Sequence, residues 1–518
     1  MTQIKNGVST LTAAMVALSV AGPGLASAAA PDTTRVIVAF KPGAAAQARA
    51  AVLAARGKVK LDIAGMNAIA IEVPAIAVER LRNHPNIEFV EEDVKRYPLA
   101  LATPSNKPYL AGQLVPYGIA MVQADQLPDT AAANRMVCII DSGVDRAHED
   151  LSGIDASGVY DAGTGWWYTD ENHHGTHVAG TVAAINNHGT GVVGVAPNRQ
   201  LKLHIVKVFG AEGWAYSSSL AAAAYQCGNA GANVISMSLG GPRPSQLEMR
   251  AFLTLASKGV LSVAAAGNDG NSAISYPAGY PSVVMVGALD ENKAWADFSQ
   301  FNSKVELSAP GVSVLSTVPM GGGLEATLAV GRSSYAPGSM EGSPLGSASA
   351  PLADFGLGER VDTALNGKVC LIARGVVDFA TKVSNCQNSG GVGAVLYNNA
   401  PGGFAGTLGD TVTSIPSVTA SDTEGAALKA QLGQVATVAV KPVNYAYYDG
   451  TSMATPHVAA VAALVWSYFP SCSAARLRAS LGKSAQDLGV RGRDMRFGFG
   501  LVQAKAAHDR IKALGCGN

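Results

Sequence analysis

The 518-residue sequence predicts an α/β fold in which a doubly wound parallel sheet is covered by helices on both faces. Three observations carry that expectation. Between Met136 and Ala309, short apolar runs rich in β-branched residues alternate with longer stretches of helical pattern, as strands buried on both faces require. Glycine-flanked polar turns follow two of these runs, at Asp141 and Asn268, and open parallel sheets carry their sites at such strand ends. The chain is also too long for a single hydrophobic core, so about three modules are expected.

Taken in order, Met1–Ala30 carries Lys5, an apolar stretch from Val8 to Leu25 interrupted by Gly22–Pro23, and small residues from Ala26 to Ala30. This is the pattern of an export leader with cleavage after Ala28 or Ala30, and its apolar run is too short to span a bilayer comfortably. From Arg35 a small α+β unit of β-α-β-β-α-β type is expected, with Val36–Phe40, Ala68–Val73 and Ile87–Val94 as strands and Ala44–Ala55 and Ile76–Arg82 as helices. Lys95–Leu114 contains prolines and little periodicity and reads as a linker. The main sheet then takes Met136–Ile140, Lys202–Val208, Val234–Ser238, Val260–Ala265, Val283–Gly287 and Val305–Ala309, with helical stretches at Val178–Ile185, Ser218–Cys227 and Gln246–Ser257. A Gly/Ser-rich lead, Gly321–Ala350, interrupts it. Beyond that lead, strand-like runs at Gly367–Gly375 and Gly393–Leu396, a helix through Phe379–Lys382 and two cysteines indicate an ordered, β-rich insertion. An alanine-rich helix then runs from the Gly450–Thr451–Ser452 turn to Tyr468.

The chemistry is concentrated in three places. Ser452 stands where a loop becomes that helix, beside backbone N–H groups with no intrahelical partner that can stabilise developing negative charge. A free serine is a weak nucleophile and needs a base, which in turn needs a group to orient it. Val137–Cys138–Ile139–Ile140–Asp141–Ser142–Gly143 reads as a buried strand ending in a carboxylate, and His173–His174–Gly175–Thr176–His177–Val178–Ala179–Gly180 sets histidine at the start of a second small-residue helix. With Gly450–Thr451–Ser452–Met453–Ala454, these motifs in the order Asp, His, Ser resemble the subtilisin family of serine proteases over roughly Gln113–Ser316 and Tyr445–Ala507.

The resemblance implies a subtilisin-like fold and roles for particular residues. Asp141 would orient His174, His174 would take the proton of Ser452, and Asn268, after Ala264–Ala265–Ala266–Gly267, would join the Ser452 N–H as oxyanion donor. His173 and His177 are not expected to be the base. Ser238, Leu239 and Gly240 match the segment that receives substrate as an added strand, with Ala266, Gly267 and Ser275 beside the primary pocket. Ser275 stands where glycine is common in the family, which implies a shallower pocket. A structural Ca2+ is implied at Gln113, Asp150, Ile185, Asn187, Thr190 and Val192, although the loop holding Asn187 is one residue longer than the family pattern.

The resemblance also orders the modules. It implies a leader (1–30), an inhibitory propeptide (31–105) that self-cleavage removes within the Lys95–Leu114 linker, a catalytic domain in two parts (106–319 and 444–518), and an inserted protease-associated domain (320–443). Export makes the environment oxidising, where six cysteines allow 15 pairings. Module membership suggests Cys370–Cys386, Cys472–Cys516 and Cys138–Cys227, with free buried thiols as the alternative, above all for Cys138. The 38 basic and 38 acidic residues leave no footprint for nucleic acid or for a membrane surface. The expectation is a secreted, monomeric endopeptidase acting on a broad range of protein and peptide substrates, with its own propeptide as intramolecular inhibitor. Two alternatives are a restricted processing protease, for which the cleft shows no acidic run, and an inactive binding protein, against which the intact motifs argue.

Overall fold

The structure, a computed structural model, describes residues 33–63, 65–99, 101–102, 113–187, 189–404, 406–409 and 411–518. The expected export leader, Met1–Ala30, lies outside the described residues, as do most of the linker's later residues.

Seven parallel strands form the central sheet in the order Val305–Pro310, Val283–Leu289, Leu261–Ala265, Val234–Met237, Met136–Asp141, Lys202–Lys207, Ala156–Gly158. Successive side chains alternate faces, so Val137 and Ile139 join the core that holds the helix Thr451–Tyr468, whereas Cys138 and Ile140 join the core under the helices Ser217–Asn229 and Gln246–Ser257. Burial on both faces explains why these strands read as continuous apolar runs. The order reverses at Met136–Asp141, so Asp141 ends the strand at which crevices open in such sheets. The edge strand Ala156–Gly158 is short, small-residued and unmarked in the sequence.

The N-terminal unit is a four-stranded antiparallel sheet, ordered Lys58–Ile63, Ala68–Pro74, Thr33–Phe40, Ile87–Glu92. Lys58–Ile63 supplies the strand that the β-α-β-β-α-β pattern demanded and that the short alternation Lys-Val-Lys-Leu-Asp-Ile only weakly signals. One face of the sheet covers its own helices, and on the other Ile37, Ala39, Ile63 and Ala68 pack with Ala221, Leu247 and Ala251 of the two catalytic-domain helices. Asp93 accepts the N–H (3.0 Å) and hydroxyl (2.7 Å) of Ser218 at the start of one of those helices. Glu91 accepts Gln246 N–H (2.9 Å) and Leu247 N–H (3.1 Å) at the start of the other. Two carboxylates of one module thus satisfy helix-terminal donors of the next.

The insertion builds on a nine-stranded sheet. Its Gly/Ser-rich lead is itself sheet: Gly323–Val330 and Gly346–Asp354 both pair antiparallel with Val435–Val443. Glycine, serine and alanine between the few larger apolar residues obscure this in the sequence, although Leu328, Val330, Ala350 and Leu352 of these strands pack into the insertion's core. The chain leaves and re-enters the core at one point: Val314–Thr317 pairs with Tyr445–Asp449, and Val318 N donates to Asn444 O at 2.8 Å.

Disulfides join Cys138 to Cys227, Cys370 to Cys386 and Cys472 to Cys516. Among the described residues no cysteine is free, and no helix is long and apolar enough to cross a membrane.

Candidate active site

Asp141 ends the central strand, fully buried, and His174 begins the helix His174–Ala183. Nδ1 of His174 lies 2.7 Å from Asp141 Oδ1, which holds the ring with its proton on Nδ1 and a lone pair on Nε2. Burial lowers the basicity of His174, but the negative charges of Asp141 and then Asp170 outweigh it, so the imidazole pKa stands above its ordinary value. Asp170, itself pushed up by burial, accepts the Ser142 hydroxyl (2.7 Å) and the Thr176 N–H (2.8 Å), bracing the aspartate turn against the histidine helix.

Ser452 is fully buried in the first turn of Thr451–Tyr468. Its hydroxyl donates to Ser238 O (2.8 Å) and accepts Leu99 N–H (3.1 Å), while Nε2 of His174 has no protein partner among the described residues. Nucleophile and base are both in place but disengaged. His177 stands apart as expected: its Nε2 lies between the carbonyls of Val314 (3.0 Å) and Ala446 (3.1 Å), and burial depresses its pKa to about 3, so it is a neutral packing residue.

The chain itself occupies the cleft. Lys95–Pro98 lies as a middle strand between Ala215–Tyr216 and Leu239–Gly240, antiparallel to both. Leu99 comes next, donating its N–H to Ser238 O (3.3 Å). Its carbonyl oxygen accepts Asn268 Nδ2 (2.8 Å) and Ser452 N–H (3.3 Å). Those are the two oxyanion donors expected from the sequence, converging on one carbonyl. The Leu99 side chain sits where a Cβ on Gly240 would come within 3.0 Å of its Cδ1 and 2.2 Å of Ser275 Oγ, so only glycine leaves room there. Ser238, Leu239, Gly240 and Ser275 therefore all surround the segment. Ala266 and Gly267 act through the backbone behind it, Ala266 N–H going to Val286 O (3.0 Å) and Gly267 N–H to the Thr451 hydroxyl (3.1 Å).

Sequence reasoning missed three groups here. Thr451 fixes the Asn268 amide, and Asp170 braces Ser142; both are polar neighbours of recognised motifs with no signature of their own. The third is Glu248, a single carboxylate from a helix distant in sequence, which is buried there against Arg96 although the cleft shows no acidic run.

The residues expected to hold calcium also gather. Gln113 Nε2 donates to Ile185 O (2.8 Å) and reaches Val192 O (3.4 Å), and the buried Asp150 accepts Val192 N–H and Asn187 Nδ2, each at 2.7 Å. Asn187 Oδ1 accepts the N–H groups of Gly189 and Thr190, both at 3.0 Å.

A carbonyl set against a buried serine, with a polarised histidine and two preset donors for its oxygen, is equipped for acyl transfer, and the class is that of the serine peptidases. The Subtilase family model matches residues 133–353 and 400–500, and the PA domain model matches 335–428. The chain belongs to the subtilase family and carries an inserted PA domain. It is 40% identical over 258 residues to an alkaline protease of Alkalihalobacillus alcalophilus, covering 48% of this chain and 62% of that one. It is 44% identical over 213 residues to Subtilisin DY of Bacillus licheniformis, covering 40% and 76%. Among solved structures, the psychrophilic subtilisin-like protease Apa1 from the Antarctic psychrotroph Pseudoalteromonas sp. AS-11 is 42% identical with a TM-score of 0.60, covering 78% of this chain and 100% of that one. Fervidolysin of Fervidobacterium pennivorans, titled a keratinolytic enzyme related to subtilisin, shares the fold at 24% identity and a TM-score of 0.59, covering 92% and 61%.

Proposed function

We propose that the protein is an exported serine endopeptidase that matures by cutting its own chain after Leu99 and keeps residues 31–99 as an intramolecular inhibitor. The observation that carries this is the Leu99 carbonyl oxygen held by Asn268 Nδ2 at 2.8 Å and Ser452 N–H at 3.3 Å, at the end of a segment paired into the cleft as a strand. The cut falls inside the linker, upstream of the 105/106 boundary expected from sequence.

In the reaction, the Ser452 hydroxyl leaves Ser238 O for His174 Nε2 and attacks the Leu99 carbonyl carbon as His174 takes its proton. Charge developing on the Leu99 oxygen meets donors already oriented for it. Collapse breaks the bond to the Ala100 nitrogen, which leaves with the proton from His174, and Leu99 remains esterified to Ser452. Water, deprotonated by His174, releases the Leu99 carboxylate and restores the serine. The same steps apply to other chains. Backbone pairing tolerates varied side chains, as the 45% exposure of Tyr97 illustrates, while the space by Gly240 and Ser275 suits a medium apolar residue before the cut. The substrates are proteins and peptides outside the cell, and the enzyme acts as a monomer whose catalytic domain is residues 100–319 and 444–518, with 320–443 as the inserted domain.

Calcium belongs to this reading. The carbonyls of Ile185 and Val192 and the Asp150 carboxylate gather as hard oxygens around the Gln113 side chain, whose Nε2 bonds the two carbonyls; the same amide turned over would present its oxygen, and the donor set then fits such a cation. Asp150 and Asn187 would each exchange N–H partners for the ion, since Val192 N–H and Asn187 Nδ2 hold the Asp150 oxygens and two backbone N–H groups hold the Asn187 oxygen. The ion would supply cross-linking of Gln113 to the core, and no catalytic step passes through it.

The full chain and its Ser452→Ala variant, purified free of other proteases, test the reading by intact mass. Wild type should yield a chain beginning at Ala100, and Ser452→Ala should remain uncut. Normal cleavage of Ser452→Ala would overturn self-processing.

A further inference from the structure

Arg96 lies in the cleft strand three residues before Leu99, and it is fully buried, as is its partner. Its Nε donates to Glu248 Oε1 (3.0 Å) and its Nη2 to Glu248 Oε2 (2.6 Å), a two-point match of a planar fork to a carboxylate. Nη2 also donates to Arg243 O (3.0 Å), and the Tyr280 hydroxyl lies 2.8 Å from Glu248 Oε2. Gly241 leaves the guanidinium its room, since a Cβ there would stand 3.1 Å from Nη1 and 2.8 Å from Lys95 O. Apart from Lys95 O, the groups that hydrogen-bond the guanidinium, Glu248 and the Arg243 carbonyl, lie outside the N-terminal unit. A buried carboxylate offered to a cleft is costly unless paired, so whichever side chain enters this place is selected by charge as well as by shape.

We infer that Glu248 makes this a subsite selective for arginine at the fourth residue before the cut bond, and that the enzyme prefers protein segments of the form Arg-X-X-Leu. This rests on reading Lys95–Leu99 as a substrate lodged in the cleft. Lysine is a poorer occupant, because a single ammonium cannot span both Glu248 oxygens as Nε and Nη2 do. A neutral side chain leaves Glu248 desolvated and unpaired, and sites that must pair a buried polar group discriminate strongly against substrates that cannot supply the partner. The substrate range is accordingly open at Tyr97, graded at Leu99 and narrow at Arg96.

The test uses the self-processed enzyme and internally quenched peptides Lys-Z-Tyr-Pro-Leu-Ala-Gly with Z as Arg, Lys, citrulline, Met or Glu. kcat/KM should fall from Arg to citrulline or Met by on the order of a hundredfold, with Lys between them and Glu lowest. Glu248→Leu should invert the order of Arg and Met. If that variant does not fold, the wild-type series alone decides, supported by Arg96→Met in the full chain, which should slow release of residues 31–99. Equal rates for Arg, citrulline and Met would overturn the inference while leaving Leu99 cleavage standing. Failure to cut even the Arg peptide after Leu would overturn the substrate reading and the inference with it.

Discussion

The side-chain oxygen of Asn268 accepts two hydrogen bonds from Thr451, one from its N–H at 3.0 Å and one from its hydroxyl at 2.8 Å. This pairing removes the twofold ambiguity of an amide: with the oxygen tied, Nδ2 can only face the Leu99 carbonyl. Preorganisation of that kind is what makes a neutral donor effective against a developing oxyanion. Thr451→Val removes a hydroxyl that donates to Asn268 Oδ1 and accepts Gly267 N–H; loss of the bond to Asn268 should lower kcat roughly fivefold with KM little changed, and Thr451→Ser should restore it. Asn268→Ala should cost roughly a hundred- to a thousandfold in kcat. Adding Thr451→Val to Asn268→Ala should cost almost nothing more. Additive losses in steady-state kinetics would show that Thr451 acts by another route.

The histidine gives a pH prediction. His174 must be neutral at Nε2 to accept a proton, and its pKa is raised because Asp141 and Asp170 outweigh burial. Activity is then present at high pH and lost as pH falls through a value above the ordinary histidine figure of about 6.5. Asp170→Asn removes one of the two charges and should shift the acid limb of kcat/KM to lower pH. A limb that does not move would limit Asp170 to bracing Ser142.

On the proposed reading, Glu91 and Asp93 set how tightly residues 31–99 are held after the cut. Each satisfies the first turn of a catalytic-domain helix, and such caps are worth roughly 0.5–2 kcal/mol apiece. Glu91→Ala with Asp93→Ala should leave cleavage at Leu99 intact yet speed separation of the two parts at least about fivefold, read as the delay before activity appears. An unchanged delay would place the grip in the apolar contact of Ile37 and Ile63 with the helices.

Calcium predicts a difference in durability. An ion bound only to the folded chain at a hundred times its Kd adds about 2.7 kcal/mol. Chelation should speed thermal inactivation without changing initial rates, and Asp150→Ala should do the same with calcium present. Equal half-lives with and without chelator, in wild type and variant, would mean that protein hydrogen bonds such as Gln113 to Ile185, and no ion, hold this loop.

The groups proposed as catalytic were legible as candidates because each stands in a run whose neighbours are constrained too: an apolar strand ahead of Asp141, small residues after His174 and Ser452, Ala-Ala-Gly before Asn268. The sheet was legible for the same reason, its strands being apolar on both faces. Glu248 was not. Its helix carries polar residues on one side, and nothing local distinguishes a carboxylate that meets solvent from one that meets an arginine 152 residues earlier in the chain. Leu99 was hidden likewise, since a segment that borrows its partners from a cleft needs no periodicity of its own. The strands of the Gly/Ser lead were obscured because their few buried apolar residues, Leu328, Val330 and Leu352 among them, are diluted by glycine, serine and alanine, and pairing with Val435–Val443 completes them.

The pairing of Val314–Thr317 with Tyr445–Asp449 brings the two ends of the inserted domain together at a single doorway. A chain that departs and returns through one doorway burdens its host only through the entropy of the loop, which grows with the logarithm of loop length, by about 0.6 kcal/mol per doubling. Seen from the sheet, a hairpin of a few residues and a whole domain are thus nearly the same obstacle. The insert can be exchanged, enlarged or trimmed as a cartridge, while the strands on either side of the doorway still deliver Ser452 to the same place.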